Sequence, residues 1–269
     1  MKSLNYAFWQ LLRKAFGIFY FYLLAKPLYS LALMGKNLVI IPTYNEIENI
    51  DKMVRTVFSL TREFELLIVD DGSPDGTANH VKSLQNEFAG KLHIEERKGK
   101  LGLGTAYIHG FKWALARDYA FIFEMDCDFS HDPKDLVRLL EACEKDADVA
   151  VGSRYTKGGK VSNWPIGRIL MSYFASVYVR MVLWIPVKDT TAGFKCYRRK
   201  VLETIALDEI KFMGYAFQIE MKYRAYRKGF KIVEVPILFT DRVLGVSKMS
   251  TKIFKEAFLG VLQMRFAKY

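Results

Sequence analysis

Apolar and polar residues alternate along the chain in blocks that predict strands and helices in turn from residue 37 onward. The apolar runs predict strands at Leu38–Ile41, Phe64–Val69, Leu92–Ile94 and Tyr119–Met125, and helical spacing predicts helices at Ile47–Leu60 and Gly104–Arg117. Alternation of this kind is typical of an α/β fold with a mostly parallel central sheet and helices on both faces.

Polar residues follow the ends of these predicted strands. Pro42 ends the first, Asp70 and Asp71 open a turn-rich segment after the second, and Asp126 follows the fourth. Open α/β sheets bind ligands at the carboxyl edge of their strands. We therefore expect the binding site at this edge.

Two carboxylates, Asp126 and Asp128, stand one residue apart directly after a hydrophobic strand. Both can reach one divalent cation once the chain leaves its pleat, and Mg²⁺ or Mn²⁺ can then bridge a diphosphate. The same short pattern is also typical of a solvated turn or a helix cap. Its position at a strand end is what favours the metal interpretation.

The first 35 residues differ in composition from the rest of the chain, because they are rich in apolar residues and poor in acidic ones. Ala15–Ala25 is continuously apolar, but Lys26 and Pro27 interrupt the run, whereas a spanning helix needs about 20 apolar residues. The pattern favours a segment on the membrane surface or a re-entrant one. A spanning helix, a core-packing segment and an extension ahead of a start at Met34 are the alternatives.

Composition and charge narrow the class of protein further. The 269 residues are 51% hydrophobic and 26% charged, which excludes a disordered chain. Forty Lys and Arg against 29 Asp and Glu give a formal charge of +11, which favours nucleic acid, phosphorylated small molecules or an acidic membrane as partners. Three cysteines without CxxC spacing predict neither a disulfide framework nor a cysteine-rich zinc site, and fit a reducing cytosol.

A series of ordered motifs extends from residue 38 to about 250. They are Ile41-Pro-Thr-Tyr-Asn-Glu46, Asp70-Asp-Gly-Ser-Pro-Asp-Gly-Thr77, Gly99-Lys-Leu-Gly-Leu-Gly-Thr-Ala106, Met125-Asp-Cys-Asp-Phe-Ser-His131, Gly152-Ser-Arg-Tyr155, Asp189-Thr-Thr-Ala-Gly-Phe-Lys195, Phe217-Gln-Ile-Glu220 and Asp241-Arg-Val-Leu-Gly-Val-Ser-Lys248. Together they resemble the dolichol-phosphate mannose synthases and related polyprenyl-phosphate glycosyltransferases of glycosyltransferase family 2. The resemblance implies a GT-A catalytic domain at 37–250, between an apolar segment at 1–36 and a basic amphipathic helix at 251–269.

The resemblance also implies which residues bind the donor. Four residues at the ends of the first two strands look like a nucleoside pocket: Pro42, Tyr44, Glu46 and Asp70. Asp126 and Asp128 look like the ligands of Mg²⁺ or Mn²⁺. Some members of the family supply a Gln two residues beyond the second Asp, where this chain has Ser130.

Two further groups look like phosphate-binding sets, for which guanidinium forks are well suited. Arg154, Arg168 and Ser172 resemble the cluster that holds the lipid phosphate, and Arg168 and Ser172 stand one helical turn apart. Arg242 and Lys248 resemble a basic segment that closes over the donor diphosphate. The residues expected to carry the catalysis are Asp128, Arg154, Arg242 and Lys248.

The implied reaction is inverting transfer of mannose from GDP-mannose to a polyprenyl phosphate. A phosphate monoester is already an anion near neutral pH, so no general base is expected. Asp189 is interpreted as sugar-binding or loop-anchoring, and Glu220 as sugar-binding or structural.

Three alternatives stay open. One is transfer of glucose or another sugar from a UDP donor. Another is a catalytically silent scaffold that binds a nucleotide sugar, against which the intact motif residues argue. Nucleic-acid binding is disfavoured, because the basic residues are interleaved with carboxylates and form no stripe.

A membrane-borne acceptor makes two apolar helical stretches informative. The region Trp164–Pro186 has too many apolar residues for one buried stripe, and Ile253–Phe266 is a basic apolar helix. One outward face is expected on the bilayer, with a fully buried helix as the alternative. We expect the protein at the cytoplasmic face of a membrane, attached through these helices, the N-terminal segment or small anchoring subunits.

Overall fold

The computed structural model of this chain describes residues 35–241 and 251–267. Residues 1–34, which make up nearly all of the apolar N-terminal segment predicted at 1–36, lie outside the described residues, and so do Arg242 and Lys248. The predictions made for them therefore stay predictions.

A seven-stranded sheet forms the centre of the described part, in the order β3-β2-β1-β4-β7-β5-β8. Its strands are β1 (Lys36–Thr43), β2 (Glu65–Asp70), β3 (Leu92–Glu96), β4 (Tyr119–Glu124), β5 (Val149–Ser153), β7 (Lys195–Arg198) and β8 (Ile232–Pro236). A small second sheet pairs β6 (Lys160–Ser162) with β9 (Leu238–Thr240). The four predicted strands are confirmed as β1 to β4.

Most neighbouring strands of the large sheet run parallel, as predicted. β1 pairs parallel with β2 and β4, β2 with β3, and β5 with β8. β7 is antiparallel to both of its neighbours, β4 and β5. An apolar run has the same appearance in either direction, so its pattern does not reveal this reversal.

Helices cover both faces of the sheet. They are α1 (Ile47–Phe58), α2 (Thr77–Leu84), α3 (Leu103–Leu115), α4 (Asp135–Lys145), α5 (Ile166–Leu183), α6 (Arg199–Thr204), α7 (Tyr215–Arg227) and α8 (Thr251–Phe266), with a 3₁₀ turn at Leu207–Glu209. The helices predicted at Ile47–Leu60 and Gly104–Arg117 are confirmed as α1 and α3.

The alternation of side chains along β1 divides the core into two layers. Val39 and Ile41 pack on the face covered by α1, α2 and α4. Leu38 and Ile40 pack on the opposite face, which is covered by α3, α6 and α7. Because both faces are buried, the strands are continuously apolar and the polar residues are concentrated at strand ends.

A third apolar cluster joins α5, α7 and α8. Val179 and Leu183 of α5 pack with Tyr223 of α7 and with Val261 and Met264 of α8. One face of α5 therefore packs against α7 and α8, and the other apolar residues of α5 lie outside this cluster.

Candidate active site

The carboxyl ends of β1, β2, β4 and β5 lie at one edge of the sheet, since these four strands run in the same direction. In the register of β1 and β2, Thr43 stands opposite Asp70. Beyond the end of β4, the backbone N–H of Met125 donates to the carbonyl of Ile40, 3.2 Å away. The chain thus reaches Asp126 beside the end of β1, as the strand-end pattern predicts.

Asp70 is a buried carboxylate held by the two loops next to it. It accepts hydrogen bonds from Thr43 Oγ1 at 2.8 Å, from the backbone N–H of Ser73 at 2.8 Å and from Ser73 Oγ at 2.6 Å. A carboxylate with this many donors is fixed in orientation. Ser73, three residues after Asp70, is the local sequence signal for this arrangement, whereas the register of β1 and β2 brings Thr43 to it.

The loop after β1 is attached to the start of α2 by backbone hydrogen bonds to side chains. The N–H of Asn45 donates to Ser73 Oγ at 3.0 Å, that of Glu46 to Thr77 Oγ1 at 3.1 Å, and that of Ile47 to Asp75 Oδ2 at 3.1 Å. Asn45 has a left-handed backbone, with φ +58°. This conformation fixes the turn between Tyr44 and Glu46.

Three of the four predicted nucleoside-pocket residues end up at these joined loops, and Pro42 lies one residue before the end of β1. The Tyr44 ring lies 5.0 Å from the Lys100 ammonium, a cation–π distance. Asn49 Nδ2 donates to Glu46 Oε2 at 3.0 Å. The edge thus carries an aromatic ring and the partly exposed Glu46 carboxylate, with the buried Asp70 beneath the same loops.

Arg97 is a residue of this edge that the sequence did not single out. Its Nε donates to Asp71 Oδ1 at 2.6 Å, and its Nη1 donates to Thr105 Oγ1 at 2.9 Å. Both members of the Arg97–Asp71 pair are nearly buried. Arg97 Nη2 also donates to the Gly102 carbonyl at 3.5 Å, so the pair links the glycine-rich segment, residues 99–104, to the end of β2 and to the first turn of α3.

Asp126 and Asp128 are each engaged by a hydroxyl. The Tyr107 hydroxyl donates to Asp126 Oδ1 at 3.2 Å. Ser130 donates to Asp128 Oδ1 from its backbone N–H at 3.0 Å and also from its hydroxyl. Phe129 has φ +58°, so the backbone turns sharply after Asp128. Asp126 is partly exposed, whereas Asp128 is buried.

The two carboxylates fit a cation that takes its other ligands from a substrate. Among the described residues, no group of three or more His, Cys, Asp or Glu side chains could hold a metal. Mg²⁺ is commonly bound by one or two carboxylates together with substrate phosphates and water. Asp126 and Asp128 match that donor set, and Ser130 holds Asp128 by hydrogen bonds.

His131 lies buried behind this turn, between the Phe194 ring at 5.0 Å and the Phe239 ring at 5.2 Å. Burial lowers the pKa of His131 to about 4, against the opposing effect of the Asp128 charge. The imidazole is therefore neutral at neutral pH.

Arg154, just after β5, forms a bidentate ion pair with Asp189. Its Nε and Nη2 lie 2.7 Å from Oδ2 and Oδ1, and its backbone N–H donates to Oδ2 at 3.0 Å. Burial raises the pKa of Asp189, but the Arg154 charge and hydrogen bonds outweigh it, so the net pKa lies below its usual value. Of the two interpretations given for Asp189, this contact supports loop anchoring.

Trp164 brings two predicted phosphate ligands together, although the sequence did not identify it. The guanidinium carbon of Arg168 lies 4.0 Å from the centre of the indole, and that of Arg154 lies 5.5 Å from it. Arg168 Nη1 also donates to Asp241 Oδ2 at 3.0 Å. Ser172 lies near the Tyr155 hydroxyl. The predicted Arg154, Arg168 and Ser172 therefore occupy one region.

The Glu220 carboxylate is held by two backbone N–H groups and by an arginine. Its Oε2 accepts from the backbone N–H groups of Lys211, at 3.0 Å, and Phe212, at 3.2 Å. Arg224 Nε donates to its other oxygen at 2.9 Å. These contacts support the structural interpretation of Glu220.

A buried polar network lies beneath the edge and was not predicted. Glu124 accepts from the Tyr197 hydroxyl at 3.0 Å and from Gln218 Nε2 at 2.9 Å, and Lys195 Nζ lies 3.1 Å from it. Burial lowers the pKa of Lys195, and the Glu124 charge opposes that shift. The network joins β4, β7 and α7 just before Asp126.

Comparison with known proteins identifies relatives over most of the chain. The family model described as glycosyl transferase family 2 matches residues 38–206. The chain is 47% identical over 228 residues to the polyprenol monophosphomannose synthase of Mycolicibacterium smegmatis, covering 85% of this chain and 86% of the relative. It is 45% identical over 230 residues to the undecaprenyl-phosphate mannosyltransferase of Micrococcus luteus, covering 86% and 94%.

The fold is similar to that of solved glycosyltransferases. The glucosyl-3-phosphoglycerate synthase of Mycobacterium tuberculosis, solved with Mn²⁺, UDP and glucosyl-3-phosphoglycerate, matches with a TM-score of 0.62 and 16% identity, covering 86% of this chain and 80% of that one. At this identity the similarity is one of fold, and it confirms the GT-A architecture.

Proposed function

Because the chain belongs to glycosyltransferase family 2, we propose that it transfers mannose from GDP-mannose to a polyprenyl phosphate. The observation that carries the proposal is the set of side chains at one edge of the sheet. There the carboxylates Asp126 and Asp128 follow β4, beside the loops that hold Asp70. The guanidinium groups of Arg154 and Arg168 both lie against Trp164. Both relatives named above carry a polyprenyl lipid and mannose in their names.

The donor nucleoside is assigned to the joined loops after β1 and β2. The Tyr44 ring supplies a face for a base, and Glu46 and Asp70 supply acceptors for the hydrogen-bond donors of guanine and ribose. The loops are held by the hydrogen bonds of Ser73, Asp75 and Thr77. A pocket held in this way requires little reorganisation on binding.

Asp126 and Asp128 would hold Mg²⁺ or Mn²⁺ against the donor diphosphate. When bound, the cation neutralises the charge that develops on the departing nucleoside diphosphate. Arg242 and Lys248 are assigned to the same diphosphate as a basic closing segment.

Arg154 and Arg168 are assigned to the acceptor phosphate. A phosphate oxygen of the lipid attacks the anomeric carbon, the bond from that carbon to the donor diphosphate breaks, and its electron pair leaves with GDP. Attack from the face opposite the leaving group inverts the anomeric configuration. The acceptor oxygen is already anionic, so the arginines supply position and charge rather than proton transfer.

The acceptor is a membrane lipid, and α5 supplies a surface for it. α5 is long and apolar enough to cross a membrane by length and composition, the one such helix among the described residues. Its exposed residues include Ile166, Phe174 and Met181, with 77%, 61% and 63% of their surface accessible. Since Val179 and Leu183 pack inward on α7 and α8, we assign α5 to the membrane surface rather than to a span.

An aromatic and basic contact marks one end of this surface. Trp184, 72% exposed, follows the last residue of α5, and the Arg265 guanidinium lies 4.4 Å from its ring. Trp and Arg are favoured where an apolar surface meets lipid headgroups. GDP-mannose is a cytosolic donor, so we place this surface at the cytoplasmic leaflet, with the 1–36 segment or small membrane subunits as added anchors.

The test uses purified protein, labelled GDP-mannose, Mg²⁺ or Mn²⁺ and a short polyprenyl phosphate, with extraction of an organic-soluble product. The expected result is a labelled lipid that disappears with Asp128→Ala. Product formed only from a UDP-sugar would overturn the donor assignment. Donor binding without product from any nucleotide sugar would favour the scaffold alternative.

A further inference from the structure

Tyr107 of α3 places its hydroxyl on one of the two carboxylates assigned to the cation. The hydroxyl donates to Asp126 Oδ1 at 3.2 Å, and the Tyr107 side chain is fully buried. The two residues come from different elements, the middle of α3 and the loop after β4.

The position of this phenol is fixed by its packing. The Tyr107 ring is stacked on the Phe217 ring of α7, 6.1 Å between centres with planes 2° apart. A Cβ at Gly104 would lie 2.9 Å from the Phe217 ring, and one at Gly110 would lie 2.6 Å from Ile40 of β1. Because α3 approaches both neighbours this closely, the helix that carries Tyr107 is held in place against α7 and β1.

A carboxylate attached by a rotatable side chain needs an outer partner to present a chosen oxygen to a metal. We propose that Tyr107 is that partner, a positioning residue that holds Asp126 Oδ1 so that Asp126 presents its other oxygen to the divalent cation. The inference rests on the proposed metal role of Asp126. Tyr107 also connects Asp126 to α3, whose first turn is held through Thr105 by the Arg97–Asp71 pair.

Tyr197 offers a matched control for this hydroxyl. It is also a fully buried tyrosine with its hydroxyl on a carboxylate, Glu124 Oε1, at 3.0 Å. Glu124 is the last residue of β4, and its partners include Gln218 and Lys195. Tyr197→Phe therefore removes a buried hydroxyl of the same kind that does not contact Asp126.

The experiment measures Mn²⁺ binding to the full chain with GDP, by electron paramagnetic resonance and calorimetry and without acceptor lipid. Tyr107→Phe is expected to weaken Mn²⁺ binding about tenfold, the usual scale for an outer-sphere partner, whereas Tyr197→Phe is expected to stay within about twofold. Equal binding by Tyr107→Phe and wild type, or equal loss in both variants, would overturn the proposal.

Two comparisons separate this proposal from the proposed function. A wild-type chain that binds no Mn²⁺ with GDP would overturn both, whereas wild-type binding with an unaffected Tyr107→Phe variant overturns only the role of Tyr107. In an Asp126→Asn background, Tyr107→Phe should add less than twofold, because the two residues act through one contact. A full additional loss in that background would contradict the proposal.

A crystal structure of the wild-type protein with Mn²⁺ and GDP tests the proposal without relying on the folding of a variant. We expect the cation on Asp126 while Tyr107 keeps its hydrogen bond to the other oxygen. A bound cation with the Tyr107 hydroxyl away from Asp126 would overturn the proposal.

Discussion

Arg154 and Asp189 are joined at three points: two guanidinium nitrogens at 2.7 Å from the two carboxylate oxygens, and the Arg154 backbone N–H at 3.0 Å. Asp189 is fully buried and the Arg154 side chain is 9% exposed. Glu234 of β8 holds the loop that carries Asp189, because its carboxylate accepts hydrogen bonds from the backbone N–H groups of Lys188 and Asp189 at 2.9 Å each. The guanidinium assigned to the acceptor phosphate is thus held by a rigid frame.

Asp189→Asn should destabilise the protein and weaken acceptor binding. Removing one charge of a buried pair leaves the other uncompensated, which costs about 3–5 kcal/mol. We expect a lower free energy of unfolding in urea and a KM for polyprenyl phosphate that rises more than the KM for the donor. Asp51→Asn breaks the exposed Asp51–Arg55 pair and should cost under about 1 kcal/mol. Similar losses in both variants would contradict the role of burial.

The same pair predicts a dependence of stability on pH. The folded pKa of Asp189 is depressed, so its stabilisation is complete above the unfolded value of about 3.9 and is lost as the pH falls through the folded pKa. The difference in unfolding free energy between wild type and Asp189→Asn should be constant from neutral pH to about pH 5 and shrink below about pH 4. A difference that does not change with acid would contradict this assignment.

The lowered pKa of the buried His131 predicts a second loss of stability, at a higher pH than the loss expected from Asp189. Its folded pKa of about 4 lies below the unfolded value of about 6.5, so the unfolded chain takes up a proton first as the pH falls. Stability should decrease between about pH 6.5 and pH 4, by about 3 kcal/mol in total. His131→Phe, which keeps a ring between Phe194 and Phe239, should reduce this loss of stability in urea titrations at a series of pH values. If His131→Phe lost as much stability as wild type over this pH range, the role assigned to His131 would be contradicted.

Arg168→Lys should separate charge from geometry at the acceptor site. Lys keeps the positive charge but loses the planar fork that lies on Trp164 and reaches Asp241. We expect the KM for polyprenyl phosphate to rise about tenfold, a loss of about 1.4 kcal/mol, with little change in the KM for the donor. Arg138→Lys, at an exposed arginine that pairs with Asp135 away from this site, serves as the control. Equal effects on both substrates would remove Arg168 from the acceptor site.

The exposed face of α5 should control attachment to lipid. Phe174→Ser with Met181→Ser removes two large apolar side chains, each worth about 1.5–3 kcal/mol when fully buried. We expect at least about a tenfold loss of binding to vesicles in sedimentation. Ile47→Ser, which removes an exposed apolar residue of α1, should leave vesicle binding unchanged. Retained vesicle binding by the double variant would place the membrane contact elsewhere.

The sequence by itself determined the order of the first strands and helices, because burial on both faces makes each strand an apolar run and moves polar residues to its end. Asp70, Asp126 and Asp128 could be identified for this reason, since their position follows from local pattern. The motif resemblance added the family, which the comparisons show. Arg242 and Lys248 were identified in the same way, and their roles stay predictions.

The tertiary structure alone decided which side chains meet. Tyr107 and Asp126 are 19 residues apart, Arg97 and Asp71 are 26 apart, and Arg154 and Asp189 are 35 apart. Such contacts depend on the register and crossing of elements distant in the chain, on which hydrophobic periodicity carries no information. The reversed direction of β7 and the position of Trp164 next to two arginines could not be predicted for the same reason. Each depends on where a loop returns to the sheet, and the neighbouring residues in the sequence do not determine that.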